Sequence, residues 1–322
     1  MRPLRIAFTD FHRGFNPREN RIWRALSARF ALGLVSPDEP SDLLVYSDFG
    51  QDHWRHQGLK VYLTGENMRP DFNECDLAFT PFEMVDDPRA VRLPYYAQAL
   101  HNPERLLRST GFDPSTELDR PGFCAFVVSN PKSPERNAFF RLLNRRRRVD
   151  SGGRHFNNMG GPVADKLAFI HRYRFCVAFE NTSSPGYTTE KLIEPLLAGS
   201  IPLYWGDPEV SRDFDPGCMV NLAAFPDFAT AADHVLALDA DRDRRLRLLR
   251  SPVFRDNLLP PCLSDEHISL PIERMLATTT PGKRTYRKRR LREHVYGSWL
   301  HQTRISVGCR LESLLWKLGL RS

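Results

Sequence analysis

Short apolar runs separated by polar, Pro-rich and Gly-rich connections fill the first third of the chain: Leu4 to Phe8, Leu43 to Tyr46, Lys60 to Leu63, Leu77 to Phe79 and Val91 to Leu93. Between the first two, Ile22, Ala25, Leu26 and Phe30 recur at helical spacing within Glu19 to Phe30. Continuous apolar runs read as strands covered on both faces, and their alternation with a helix predicts an open α/β sheet.

Residues 101–121 carry Pro, Ser, Thr and charge with no strand pattern, which places an interdomain linker near Asp113 to Pro121. Phe123 to Val128 then predicts a buried strand, and Arg174 to Phe179 another. The loop Glu180 to Thr189 ends in hydroxyl residues suited to capping a helix from Glu190 to Ala198, which Gly199 stops. Pro195 predicts a bend in that helix. Ile201 to Trp205 is the next strand, so the loop falls at the carboxyl edge of a sheet, where open α/β folds bind ligands. Thr230 to Leu249 has helical spacing.

A length of 322 residues exceeds one compact domain and predicts two. The net charge of +7 is not spread evenly. Residues 281–322 hold 11 of the 46 basic and 2 of the 39 acidic residues, leaving 35 basic against 37 acidic, or −2, in the body. A near-neutral body argues against a nucleic-acid partner. The tail combines a charge run, Pro281 to Arg292, with helical spacing of Val307, Leu311, Leu314, Leu315 and Leu318 beside Trp299 and Trp316. Such a basic amphipathic helix suits peripheral contact with an anionic membrane, and equally well docking on the body or dimerisation.

The six cysteines stand far apart without metal spacing, which predicts a reducing compartment. Met1 to Asp10 runs straight into a strand pattern without the apolar core of a signal peptide. These features predict a cytoplasmic protein, peripheral on the inner membrane if the tail binds it.

Chemistry concentrates in Glu180 to Lys191, which holds acids, a lysine, a phenol and several hydroxyls. In the first turn of a helix, Lys191 joins unpaired N–H groups and the helix dipole in favouring an anion such as a diphosphate. Glu190 there could accept from ribose hydroxyls, and Tyr187 could stack or donate. An ordinary helix start has the same composition. Neither a G-x-G-x-x-G after a strand nor a G-x-x-x-x-G-K-[ST] exists, so hydride transfer and P-loop hydrolysis lack support. The tight acidic pairs Asp86-Asp87 and Asp241/Asp243, and the run Arg145 to Arg148, read as solvated faces, so no essential protein-bound metal is expected.

Tyr173 to Asn181, Tyr187 to Leu192 and Ala198 to Gly206 together resemble the donor-binding motif of the bacterial α-1,3/4-fucosyltransferase family, in its order of aromatic strand, F-E-N, Y-x-T-E-K and I-P-x-x-x-G. Thr64-Gly65-Glu66-Asn67 resembles its T-G-E-N segment. Phe126 to Pro131 with Arg136 to Phe139 resembles its F-V-x-S-N-P and R-N-A-F segment. The resemblance is informative over residues 60–230 and weak before 60 and after 250.

The resemblance implies an inverting enzyme of GT-B type, two Rossmann-like domains facing a cleft, here with a basic helical C-terminal tail. The domains would be an acceptor-side domain, 1–118, a GDP-fucose-binding domain, 119–275, and the tail, 276–322. It further implies that Arg136 and Lys191 contact the diphosphate, that Asn181, Tyr187 and Glu190 contact ribose or fucose, and that Glu66 is the general base. The partners implied are GDP-fucose and an oligosaccharide or lipopolysaccharide acceptor containing N-acetylglucosamine, with α-1,3 transfer, no essential cofactor and a divalent cation (Mn or Mg) at most stimulatory. A transferase using another GDP-sugar, and a non-catalytic protein binding anionic surfaces or nucleic acid through its tail, are the alternatives.

Overall fold

The structure is a computed structural model and describes residues 3–109, 113–115 and 119–279. These fall into two compact units, one holding residues 3–101 and 260–279, the other 102–259. The basic tail with its predicted amphipathic helix lies outside the described residues. No helix among the described residues is long and apolar enough to cross a membrane.

The first unit is built on a six-stranded sheet in the order β2-β1-β3-β4-β5-β6. Its strands are β1 Leu4–Thr9, β2 Leu32–Leu34, β3 Leu43–Tyr46, β4 Leu59–Leu63, β5 Leu77–Thr80 and β6 Ala90–Arg92. All pairings are parallel. Every residue of β3, β4 and β5 is buried, as expected of strands covered on both faces. The helix Arg21–Ser27 follows β1, and the Asn20 side chain caps it by accepting from the Ile22 N–H at 2.9 Å.

The division expected at 118 and 275 differs from the one observed: the chain leaves the first unit after residue 101 and returns at 260. The helix Glu266–Thr278 buries Ile268, Ile272 and Met275 on one face and packs on Arg21–Ser27 and β5. Polar contacts hold it and the turn before it there. Arg21 donates to the Leu263 carbonyl at 2.8 Å, Arg29 to Glu273 at 2.9 Å, and the His267 ring meets the Arg92 carbonyl at 2.7 Å.

The second unit holds β7 Gly122–Phe126, β8 Asp150–Ser151, β9 Tyr173–Phe179, β10 Ile201–Trp205 and β11 Val220–Asn221, all parallel, in the order β11-β10-β9-β7-β8. Phe126, Phe139, Phe140, Phe156, Phe175 and Phe179 fill its core between sheet and helices. The helical spacing of Thr230 to Leu249 resolves into two helices, Phe228–Ala240 and Arg242–Arg250. Asp241 divides them with extended backbone and caps the second by accepting from the Arg244 N–H at 2.9 Å. Arg146, Arg147 and Arg148 of the arginine run pair with Asp233, Asp239 and Asp150. Cys75, Cys124, Cys176, Cys218 and Cys262 are buried free thiols.

Candidate functional site

In the second unit the chain steps from β7 to β8 on one side, then to β9, β10 and β11 on the other. The loops after β7 and β9 therefore diverge at the carboxyl ends of adjacent strands, the place where doubly wound sheets bind ligands. The β7 loop leads into the helix Pro134–Arg146, with Arg136 in its first turn. Arg136 is 1% exposed, and its guanidinium donates to the Asn130 carbonyl at 2.5 Å and to Asn181 Oδ1 at 3.2 Å, joining the two loops. Asn137 donates to the Pro131 carbonyl at 3.0 Å and meets the His155 ring at 2.9 Å. Neighbouring side chains of one helical turn thus tie down the loop that precedes them.

On the β9 side, Glu180 follows the strand directly and is fully buried. Its carboxylate accepts from the Thr189 N–H at 2.7 Å and the Thr189 hydroxyl at 2.6 Å. Thr189 caps the helix Glu190–Leu197, its oxygen accepting from the Lys191 N–H. The Lys191 ammonium donates to Thr189 Oγ1 at 3.0 Å and Glu190 Oε1 at 3.2 Å, and lies 3.6 Å from Glu180 Oε2. Asp207, after β10, holds the middle of the loop by accepting from the Gly186 N–H at 2.8 Å and the Thr188 hydroxyl at 2.7 Å. Gly186 has φ of +78° and Gly199, which ends the helix, +68°, conformations that favour glycine.

The electrostatics follow from burial and the charge of Lys191, with Lys166 adding to it at Glu190. Burial pushes the Glu180 carboxyl up to about 7, against the pull of Lys191 and the Thr189 hydrogen bonds. For Glu190, burial also raises the pKa, but the charges of Lys191 and Lys166 and the hydrogen bond from Lys191 outweigh it, leaving the group below the ordinary glutamate range. Lys191 is held above its ordinary value: burial favours the neutral amine, and Glu180 and Glu190 together overcome it. The result is a fixed cation at a helix N-terminus, next to the loop that carries the Arg136 fork.

Of the six residues singled out in the sequence, Arg136, Asn181, Glu190 and Lys191 gather at this edge of the second sheet. Tyr187 belongs to the same loop, but its side chain is packed inside, with 2% exposure. Glu66 lies in the first unit, exposed in the turn after β4. The hydroxyl cap expected at the end of the loop is Thr189, whereas the bonds by which Glu180 holds Thr189 and Asp207 holds the middle of the loop were not foreseen. The available signal was a glutamate set directly after an unbroken apolar strand, a position that demands partners once buried. Among the described residues, no group of His, Cys, Asp or Glu side chains could hold a metal ion.

Two parallel, doubly wound units of this kind are the units from which the GT-B fold is built. The "Alpha-(1,3)-fucosyltransferase FucT N-terminal domain" family model matches residues 6–99, and the "Glycosyltransferase family 10 (fucosyltransferase) C-term" model matches residues 119–250. The chain belongs to this fucosyltransferase family.

Among curated relatives, the alpha-(1,3)-fucosyltransferase FucT of Helicobacter pylori is 32% identical over 285 residues, 77% of this chain and 59% of that protein. The alpha-(1,3)-fucosyltransferase 4 of Mus musculus is 34% identical over 134 residues, 40% of this chain and 31% of that one. The chain therefore spans well under two thirds of either. A crystal structure of an alpha1,3-fucosyltransferase with GDP-fucose superposes with a TM-score of 0.74 at 29% identity, covering 86% of this chain and 91% of that one.

Proposed function

We propose that this chain is an inverting fucosyltransferase that moves L-fucose from GDP-fucose to a hydroxyl of an N-acetylglucosamine-containing glycan, forming an α-1,3 linkage. The observation that carries the reading is the pairing of a buried Arg136 fork with a carboxylate-held Lys191 ammonium at the switch point of the second sheet. The acceptor oxygen attacks the anomeric carbon as the bond to GDP breaks, and the departing diphosphate takes the electron pair. Arg136, Lys191 and the helix N-terminus stabilise that charge. Asn181 and Glu190 serve ribose and fucose from the loop that the packed Tyr187 side chain supports, and Glu66 takes the acceptor proton as general base. With these cations in place, a divalent ion such as Mn or Mg acts only as a stimulant.

Transfer assayed with GDP-fucose and GDP-mannose, against N-acetyllactosamine and lipopolysaccharide-like acceptors and with product linkage read by NMR, tests this. Transfer from GDP-fucose, persisting in chelator, is expected; transfer from GDP-mannose alone sinks the donor assignment. Retention on GDP-agarose should be lost in Lys191→Ala.

A further inference from the structure

The turn that carries Glu66 is held from several directions within the first unit, and the arrangement has a chemical order. Thr64 is fully buried at the end of β4, and its hydroxyl donates to Asp48, which follows the adjacent strand β3. The Tyr62 hydroxyl donates to the other oxygen of the same carboxylate. A hydroxyl has one proton to give, and with that proton committed to Asp48 the Thr64 oxygen is left as an acceptor. It accepts the Glu66 N–H at 3.0 Å. The Thr64 carbonyl accepts from Gln98 Nε2 at 2.8 Å, and Gln98 also reaches the Leu93 carbonyl at 3.1 Å. Between these anchors, a Cβ at Gly65 would overlap the Tyr95 ring, so the backbone packs directly on that ring.

Asp48 itself is placed by the sheet. Tyr46 pairs with Tyr62 across β3 and β4, so the residue two beyond Tyr46 stands beside the residue two beyond Tyr62, which is Thr64. Burial raises the Asp48 carboxyl, opposed by the two hydroxyl hydrogen bonds, which fits an acceptor drawn into the edge of the sheet.

We infer that Asp48 and Thr64 are positioning residues for the transfer reaction: Asp48 fixes the direction of the Thr64 hydroxyl, and Thr64 in turn fixes the backbone of Glu66. This rests on the reading of Glu66 as the base. A base gains its rate from being held within hydrogen-bond reach of the proton it takes, so a loosened turn lowers turnover without weakening nucleotide binding.

The test is a double-mutant cycle on transfer from GDP-fucose to N-acetyllactosamine, with GDP affinity and thermal melting as folding controls. Thr64→Val should lower kcat by about tenfold or more, leave the KM for GDP-fucose within about twofold, and be largely restored in Thr64→Ser. In the Glu66→Gln background, Thr64→Val should cost little further, because the group being positioned is already inactive. Asp48→Asn should act in the same direction, and it serves in place of Thr64→Val if that variant melts early. Full costs for Thr64→Val and Glu66→Gln that simply add, or an unchanged kcat in the folded variants while Glu66→Gln is inactive, overturn the positioning role and leave the base standing. Full turnover in Glu66→Gln removes the base, and this inference falls with it.

Discussion

Glu180 and Thr189 form a two-point clasp: one buried carboxylate accepts both the backbone N–H of Thr189, at 2.7 Å, and its hydroxyl, at 2.6 Å. The clasp closes the loop from Glu180 to Thr189 at the mouth of the helix that carries Lys191. Space for it exists because residue 206 is glycine; a Cβ there would lie 2.5 Å from both Cβ and Cγ of Glu180.

Glu180 also sets a pH dependence. Its folded pKa of about 7 lies above the ordinary 4.5, so it favours the folded state when protonated. That contribution is fully present below about 4.5 and is lost as the pH rises through about 7. Relative to Glu180→Gln, which cannot titrate, the wild type should lose stability across this window by on the order of a few kcal/mol. Denaturant unfolding of both proteins at a series of pH values checks it. A difference that stays flat from pH 4 to 8 would refute the buried, raised carboxyl.

Arg136 bridges two acceptors on different loops, a task that depends on the planar fork. Both Arg136→Ala and Arg136→Lys should raise the KM for GDP-fucose by about tenfold or more, because a lysine supplies charge without the second donor direction. Steady-state kinetics decide it. Wild-type KM in Arg136→Lys would mean that charge alone suffices.

Gly153 stands where a Cβ would overlap the backbone of Val128, whose carbonyl accepts the His155 N–H at 2.9 Å. Gly153→Ala must therefore push the loop after β7 off the turn after β8. A loss of about 2 kcal/mol or more is expected, seen as a lowered melting temperature together with weaker GDP binding, since the displaced loop leads to Arg136.

The doubly covered strands were legible because burial on both faces leaves an unbroken apolar run, as in β3, β7 and the Phe175 to Phe179 part of β9. The edge strands Leu32–Leu34, Asp150–Ser151 and Val220–Asn221 are too short for any period to show. The return of Glu266–Thr278 to the first unit was hidden too, because an amphipathic face says that a helix packs but not on what. At the site, Arg136, Asn181, Glu190 and Lys191 came from motifs continuous along the chain. The parts of Glu180, Asp207 and Asp48 depend on residues brought close by strand pairing, such as Gly206 beside Glu180, and a single sequence carries no sign of register.

In Glu66→Gln the backbone N–H that Thr64 holds is unchanged, so the turn should keep its shape while the proton acceptor is lost. GDP binding should stay at the wild-type level, because the Arg136 and Lys191 cluster belongs to the second unit. Transfer should fall by at least about a hundredfold, and the loss should appear in kcat more than in the KM for GDP-fucose, as expected when an interaction made only in the transition state is removed. Calorimetric titration with GDP and initial rates with GDP-fucose and N-acetyllactosamine separate the two. Loss of GDP affinity in parallel with rate would instead assign Glu66 to nucleotide binding.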